Sequence, residues 1–360
     1  MLLEWLQIAQ VRILEQIRLE PGARLNLFVG PNAGGKTAFL EAIHLLARAR
    51  SFRTPRIQEV VRNGLETLQV SARACYQGAQ PAVTTGIEKG RGLVTIRYGG
   101  APVRTVSEQA RRLPVVLATP DSHELVTASP KQRRHWLDWA MFHVEPDYLG
   151  HWRDYVRALR HRNSLLKDGA RDPGLYLGWE RTLARSGTAI QQARQRFVDE
   201  LGQALATLST PVFNDAITLR LDPGWPTEVD LEQRLAQGRE ADRAAGFTRP
   251  GPHRADIHYL CNGQAPAARF SRGQIKLLVC LIMVAQGLVM EHLTGEAPVY
   301  LLDDYAAELD QNAGAYLLQT LLDRGWQAYI TATEFREQAQ FPQHCRVFHV
   351  EHGRILKVVE

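Results

Sequence analysis

The sequence predicts an α/β protein in which a mixed sheet flanked by helices is interrupted by an inserted helical arm. Three observations carry that prediction. Short apolar and β-branched segments alternate with helical ones at both ends of the chain, helical periodicity fills the middle, and neither end holds enough strands to build a sheet alone. The head is therefore expected from residues 1–120 together with 246–360, with residues 121–245 as the helical domain between its two parts.

The elements follow in order. Apolar alternation in Leu3 to Ile8 and Val11 to Leu19, then the run Leu25 to Val29, predicts opening strands, and a helix is expected over Lys36 to Arg48. Thr67 to Tyr76, Ala82 to Glu88 and Gly92 to Tyr98 are short, β-branched and separated by glycine, the pattern of an antiparallel meander. Val115 to Ala118 is a further strand. From Ser122 to about Leu208 the pattern is helical, and the Gly- and Pro-bearing stretch Asp168 to Gly174 predicts a reversal between helices over Asp147 to Lys167 and Leu175 to Leu208. After Gly246 the α/β character returns: strand Asp256 to Leu260, helix from Arg272, strand Val299 to Asp303, helix to Leu322 and strand Ala328 to Thr331.

Composition bounds the function loosely. With 360 residues, 45% of them hydrophobic, the chain can bury a large core or two smaller ones, so disorder is excluded as its general state. A formal charge of +5 and a pI near 9.1 favour an anionic partner without specifying one. Cys75, Cys261, Cys280 and Cys345 lie far apart, without metal-site or redox-pair spacing, and read as free thiols of a reducing cytoplasm. The opening residues lack the features of a secretory signal. The most apolar run, Leu277 to Met290, contains Gln286 and is shorter than the roughly 20 residues that cross a bilayer, so a buried helix and no membrane association are expected.

Gly30-Pro31-Asn32-Ala33-Gly34-Gly35-Lys36-Thr37 fits the phosphate-binding loop pattern in the context that pattern requires, between a buried strand and a helix. Glycines let backbone amides face phosphates, Lys36 supplies a point charge, Thr37 offers a hydroxyl to Mg²⁺, and the helix N-terminus adds partial positive charge. The ligand expected is a nucleotide with Mg²⁺. Val299-Tyr300-Leu301-Leu302-Asp303-Asp304 ends an apolar strand on two carboxylates, which is costly unless a cation compensates it. Asp303 is the candidate Mg²⁺ ligand beside Thr37, and Asp304 the candidate catalytic group that orients or deprotonates the attacking water.

Phe270-Ser271-Arg272-Gly273-Gln274 precedes the apolar helix, where a serine is commonly an N-cap. Combined with the phosphate loop, the segment resembles the signature motif of ABC-type ATPases. That resemblance implies that the nucleotide is ATP and that Ser271, Arg272, Gly273 and Gln274 act in trans, on the γ-phosphate held by a partner's loop, so that ATP joins a dimer.

Along nearly its whole length the chain further resembles the RecF family of bacterial recombination mediators. The segments that carry the likeness are Gly30 to Thr37, Arg50 to Thr54, Ser129-Pro130 through Arg133-Arg134 to Leu137-Asp138, Arg162-Asn163 with Leu165 to Lys167, Gly251 to Arg254 with Asp256, Phe270 to Leu278, and Leu301 to Asp304 with Glu308-Leu309-Asp310. The resemblance implies an ABC-type P-loop ATPase head with a short helical arm, ATP-dependent homodimerisation on DNA, slow DNA-dependent ATP hydrolysis, and cooperation with RecR and RecO in loading RecA at gaps. Three departures stand out. Ala33 occupies a position where the family has glycine, which restricts the backbone if a positive φ is needed there. Ala307 stands where serine is usual, and Thr331 or Thr333 falls in the region of the transporters' switch histidine.

Basic residues cluster twice, at Arg48, Arg50, Arg53 and Arg56 after the first helix, and at Lys131, Arg133, Arg134, Arg157, Arg160, His161 and Arg162 in the arm. A charge run is usually a solvated helical face. With the resemblance, Arg50, Arg53, Arg56, Lys131, Arg133, Arg134, Arg160 and Arg162 become candidate DNA contacts, while His253 and Arg254 fit a structural turn as well as a binding role. Competing readings are an ABC transporter's ATPase subunit, a metabolite kinase and an ATP-binding scaffold with negligible hydrolysis. The helical arm between Lys36 and Ser271 argues against the first, and the signature segment followed by Asp303-Asp304 argues against the second.

Overall fold

The computed structural model describes residues 1–77, 81–208, 216–304, 309, 311–333 and 345–359. They divide into two compact units, Met1–His123 with Arg272–Glu360, and Glu124–Ser271.

The first unit opens with strands β1 (Leu2–Val11), β2 (Leu14–Leu19) and β3 (Leu25–Val29), then helix α1 (Lys36–Arg48). Strands β4 (Thr67–Cys75), β5 (Val83–Gly90), β6 (Leu93–Tyr98) and β7 (Ala101–Pro102), helix α2 (Val106–Arg112) and strand β8 (Val115–Ala118) follow. The meander read from the glycine-separated segments is present: β4, β5 and β6 pair consecutively and antiparallel, in a sheet ordered β2-β1-β4-β5-β6-β7, so the first part of the chain, against expectation, does build one sheet by itself. Its β4 alternates buried Leu68, Val70, Ala72 and Ala74 with outward residues, as a sheet with one covered face requires.

The second unit is built from α3 (Glu124–Thr127), α4 (Pro130–Val144), α5 (Tyr148–Lys167) and α6 (Gly174–Thr207), then β9 (Ile217–Asp222), α7 (Leu231–Gln237), α8 (Arg239–Ala245) and β10 (Asp256–Cys261). The helical hairpin lies where the Gly- and Pro-bearing reversal places it, with Asp168 capping α5 and Pro173 preceding α6. This unit runs past residue 245, the boundary read from the sequence. Strand β10 pairs antiparallel with β9, Ile257 opposite Leu221, and so adds no strand to the parallel sheet. The alternation of Ile217, Leu219 and Leu221 was the available signal for β9.

The chain then returns to the first unit with α9 (Arg272–Thr294), β11 (Val299–Leu302), α10 (Gln311–Asp323), β12 (Ala328–Ala332), β13 (Cys345–Glu351) and β14 (Arg354–Val359). Both ends of the chain share one sheet, ordered β14-β13-β3-β12-β11-β8, in which β14 alone runs antiparallel to its neighbour. Every residue of β3 is buried, as expected where helices or a second sheet cover both faces. Phe28 stacks against Phe39 of α1 at 4.7 Å and Phe348 of β13 at 5.0 Å, locking the phosphate-loop strand to the helix and to its neighbour. Helix α9 has the length and hydropathy to span a membrane, yet 78% of its apolar window is buried within the protein. Its buried positions run from Ile275 to Met290, including Gln286, so it is a core helix of the first unit.

Candidate nucleotide site

Strand β3 delivers the chain into the loop Gly30–Gly35, and α1 begins at Lys36. The loop is pressed against β13: a Cβ on Gly30 would stand 1.9 Å from the Val350 carbonyl oxygen, so no side chain fits there. Gly35 caps α1 with φ 108°, a conformation glycine adopts without steric cost. Ala33 also adopts a positive φ, 63°. The loop thus demands the left-handed backbone at a position occupied here by alanine, at a cost of about 1 kcal/mol.

Lys36 is almost wholly buried, and its ammonium donates to the carbonyls of Gly30 at 2.8 Å and Pro31 at 3.0 Å. It bridges the mouth of the loop with one of its three N–H donors left over. The next residue, Thr37, donates its hydroxyl to Asp303 Oδ1 at 2.8 Å. Asp303 follows β11, which is paired to β12 so that Leu302 lies opposite Ile330; the next residue of β12, Thr331, also donates to Asp303 Oδ1 at 2.8 Å. Burial raises the Asp303 carboxyl above its ordinary range, the two hydroxyl donors oppose that, Asp304 reinforces it, and the Arg53 cation lowers it. Asp304 is half-buried with φ 43°, and its backbone N–H donates to the Thr331 hydroxyl at 2.8 Å.

The hard oxygen donors of Thr37 and Asp303 suit Mg²⁺, which characteristically takes one or two protein groups and completes its shell with substrate phosphates and water. Among the described residues no cluster of three or more His, Cys, Asp or Glu could hold a metal by itself.

Beside the loop lies a cavity of ≈ 610 Å³, lined by residues including Arg12, Ile13, Glu59, Asn63 and Gly353. A Cβ on Gly35 would approach Ile13 Cδ1 to 3.0 Å and Gly353 Cα to 3.3 Å, so the cavity and the phosphate loop share a wall. Arg12 forms a bidentate pair with the fully buried Glu41 of α1, at 2.9 Å on each arm, and its charge is stabilised accordingly. Glu41 also accepts from the hydroxyl of Ser51, which in turn accepts from the backbone N–H of Arg53 at 2.9 Å. Sequence reasoning missed Arg12, Glu41 and the cavity, because no spacing rule links residue 12 to residues 41, 63 and 353.

The other candidates separate by exposure. Ser271 and Arg272 are exposed, Gly273 and Gln274 half-buried, and α9 starts at Arg272. Glu308, Asp310 and Ala307 lie outside the described residues. Arg50, Arg53, Arg56, Lys131 and Arg160 are exposed, with Arg56 paired to Glu59 at 3.0 Å; Arg134 is half-buried and donates to the Ala255 carbonyl at 2.8 Å. Two candidate DNA contacts are corrected. Arg162 is completely buried, bonded to Glu180 at 3.1 Å and to Asp242 and Thr248 at 2.8 Å, and Arg133 is buried in a bidentate pair with Asp256 at 2.7 and 2.9 Å. Both hold the second unit together. His253 is structural too: Tyr155 donates to its Nδ1 at 2.7 Å and its Nε2 donates to the Thr248 carbonyl at 3.0 Å. On α5 the exposed cations are Arg153, Arg157, Arg160 and Lys167, whose spacing puts them along one side of the helix.

Comparisons with known proteins agree with this geometry. Residues 2–355 match the model of the RecF/RecN/SMC N-terminal domain. The DNA replication and repair protein RecF of Thioalkalivibrio sulfidiphilus is 37% identical over 361 residues, covering 99% of each chain, and that of Pseudomonas paraeruginosa is 36% identical over 359 residues, covering 97% of this chain and 95% of its own. Among solved structures, the recombination mediator protein RecF with ATPrS, of the RecFOR pathway, superposes with TM-score 0.87 at 26% identity, over 100% of this chain and 98% of that one. An Smc head bound to the C-terminal winged-helix domain of ScpA shares the fold at TM-score 0.56 and 15% identity, covering 99% of this chain and 96% of its own. A phosphate loop facing a strand-end carboxylate, an inserted helical unit, and relatives matched end to end place this chain in the RecF family of nucleotide-binding ABC-type ATPases.

Proposed function

We propose that this chain is a cytoplasmic DNA-dependent ATPase of recombinational repair and replication restart: ATP binding closes a homodimer on DNA and slow hydrolysis releases it. The observation that carries the reading is the 2.8 Å contact between Thr37 and Asp303, which brings the phosphate loop and the strand-end carboxylate to a single point. Lys36 and the loop amides would bind the β- and γ-phosphates, and the neighbouring cavity would take the nucleoside. Thr37 and Asp303 would hold Mg²⁺, which, when bound, offsets the charge of the phosphate oxygens. Asp304 is the group assigned to orient the attacking water and accept its proton.

Exposure of Ser271 supports a role in trans, since only an accessible serine reaches a nucleotide held by another copy. Contacts to DNA fall to exposed cations, among them Arg50, Arg56, Lys131 and Arg160. The RecFOR setting of the superposed RecF structure supports RecR and RecO as the associated proteins, and loading of RecA at gaps completes the proposal. Solution mass measured with and without ATP and duplex DNA tests the reading. A monomer becoming a dimer in ATP, and a DNA complex favoured by ATP, are expected, and Ser271→Arg should bind ATP yet stay monomeric. A wild-type mass indifferent to ATP would overturn it.

A further inference from the structure

The hydroxyl of Thr331, in the region where transporters carry their switch histidine, touches both strand-end carboxylate residues at once. It is fully buried on β12. Its single proton goes to Asp303 Oδ1 at 2.8 Å, its lone pair receives the Asp304 backbone N–H at 2.8 Å, and the Asp304 carboxylate oxygen stands 3.5 Å away. Asp303 Oδ1 therefore accepts two hydroxyls, Thr37 from the helix side and Thr331 from the sheet side. Asp304, with φ 43°, occupies a left-handed backbone that a non-glycine residue keeps only where its surroundings enforce it. The hydrogen bond from its N–H to Thr331 is made in that conformation.

We propose that Thr331 is a positioning residue for hydrolysis: one hydroxyl fixes the rotamer of Asp303 against Thr37 and pins the strained backbone that aims Asp304. The β-branched side chain suits this task, since its χ1 is restricted and the neighbouring strands β3 and β11 hold its backbone. This differs from a residue that reaches the nucleotide, because among the described residues the Thr331 hydroxyl bonds only to the two aspartates. It rests on the ATPase reading above.

The test substitutes Thr331→Val, which keeps the shape and deletes the hydroxyl, and Thr331→Ser, which keeps the hydroxyl. Melting temperature and circular dichroism establish folding, and Thr331→Ala replaces the valine variant if the latter does not fold. Turnover at saturating ATP should fall roughly ten- to a hundredfold in Thr331→Val with KM for ATP within about threefold of wild type. ATP affinity without divalent cation, read by calorimetry, should match wild type, while the gain on adding Mg²⁺ shrinks by roughly tenfold. Thr331→Ser should recover most of both. Wild-type turnover and Mg²⁺ gain in Thr331→Val, or no recovery in Thr331→Ser, would overturn the positioning role. Lys36→Ala run in parallel separates the two failures: if it binds ATP as wild type does, the nucleotide site itself is misassigned and the proposal falls with it.

Discussion

Thr37 and Asp303 are 266 positions apart in the chain and 2.8 Å apart in the fold. The contact exists because β3 and β11 both pair with β12, so the residues just beyond their ends emerge at the same edge of the sheet. In open α/β sheets, ligands bind beyond these carboxyl ends of the strands.

Lys36→Ala should leave the fold intact and weaken ATP binding by roughly ten- to a hundredfold, the usual range for deleting one charge-assisted bond. The lysine's partners are loop carbonyls, Gly30 and Pro31, rather than core groups. Calorimetric titration with ATP reads the effect, and affinity equal to wild type would dismiss the loop as a phosphate site.

Ala33 sits at φ 63°, where a β-branched residue is far more strained than alanine and glycine is not strained at all. Ala33→Gly should therefore bind ATP at least as tightly as wild type. Ala33→Val should lower stability by more than about 1 kcal/mol and reduce ATP affinity with it. Thermal melts paired with ATP titrations check both, and a well-folded, tight-binding valine variant would show that the loop relaxes out of the left-handed region.

Charge in the arm should divide by burial. Arg157 and Arg160 are exposed on α5, so reversing both to Glu should weaken DNA binding alike for unrelated sequences and flatten its salt dependence, by about 0.9 in log–log slope per lost phosphate contact. Arg162→Met removes the fully buried cation shared by Glu180 and Asp242, leaving each one arginine, Arg239 and Arg249, and should destabilise the second unit by about 3 kcal/mol, the lower end for a broken buried pair. Denaturant melts and salt-titrated binding separate these outcomes. Unchanged salt dependence in the double reversal would move the DNA surface elsewhere.

The His253 ring is neutral at ordinary pH because burial, together with the Arg254 and Arg134 charges, pushes it down to about 4. The unfolded chain takes up a proton near pH 6.5 and the folded one only near 4, so stability present above 6.5 is lost as pH falls toward 4. Melting temperature should decline across that window, and His253→Gln should start lower but decline less. Parallel curves for the two proteins would assign the acid sensitivity to other groups, among them the buried His44 of the first unit, pushed down to about 3.

The elements legible in the sequence are those whose signal is local. The loop between β3 and α1 is defined by eight consecutive residues, and the α5–α6 hairpin by helical periodicity interrupted by Gly169, Pro173 and Gly174. Strands β13 and β14 went unread although Val347 and Phe348 are core residues. The bidentate pairs of Arg133 and Arg162 were illegible for a different reason. A buried arginine and an exposed one look alike in sequence until the partner carboxylate is placed, and Asp256 lies 123 positions from Arg133. Glu41 shows the same limit within the nucleotide site, since its partner Arg12 lies in the turn between β1 and β2, 29 positions away.

The shared sheet also sets a timetable for synthesis. Leu27 of β3 pairs with Ile330 of β12 and Val347 of β13, so the phosphate-loop strand is made early and its two neighbours late. At about 5–20 residues per second, it leaves the ribosome tens of seconds before either arrives. During that interval both edges of a strand that is apolar except for Asn26 are unpaired, the state in which strands join wrong partners. The intervening unit, compact within Glu124–Ser271, is complete before either neighbour of β3 is made and has time to fold first. Nascent chains are thus exposed to chaperones at β3, and ATP binding is a late event in the life of each molecule.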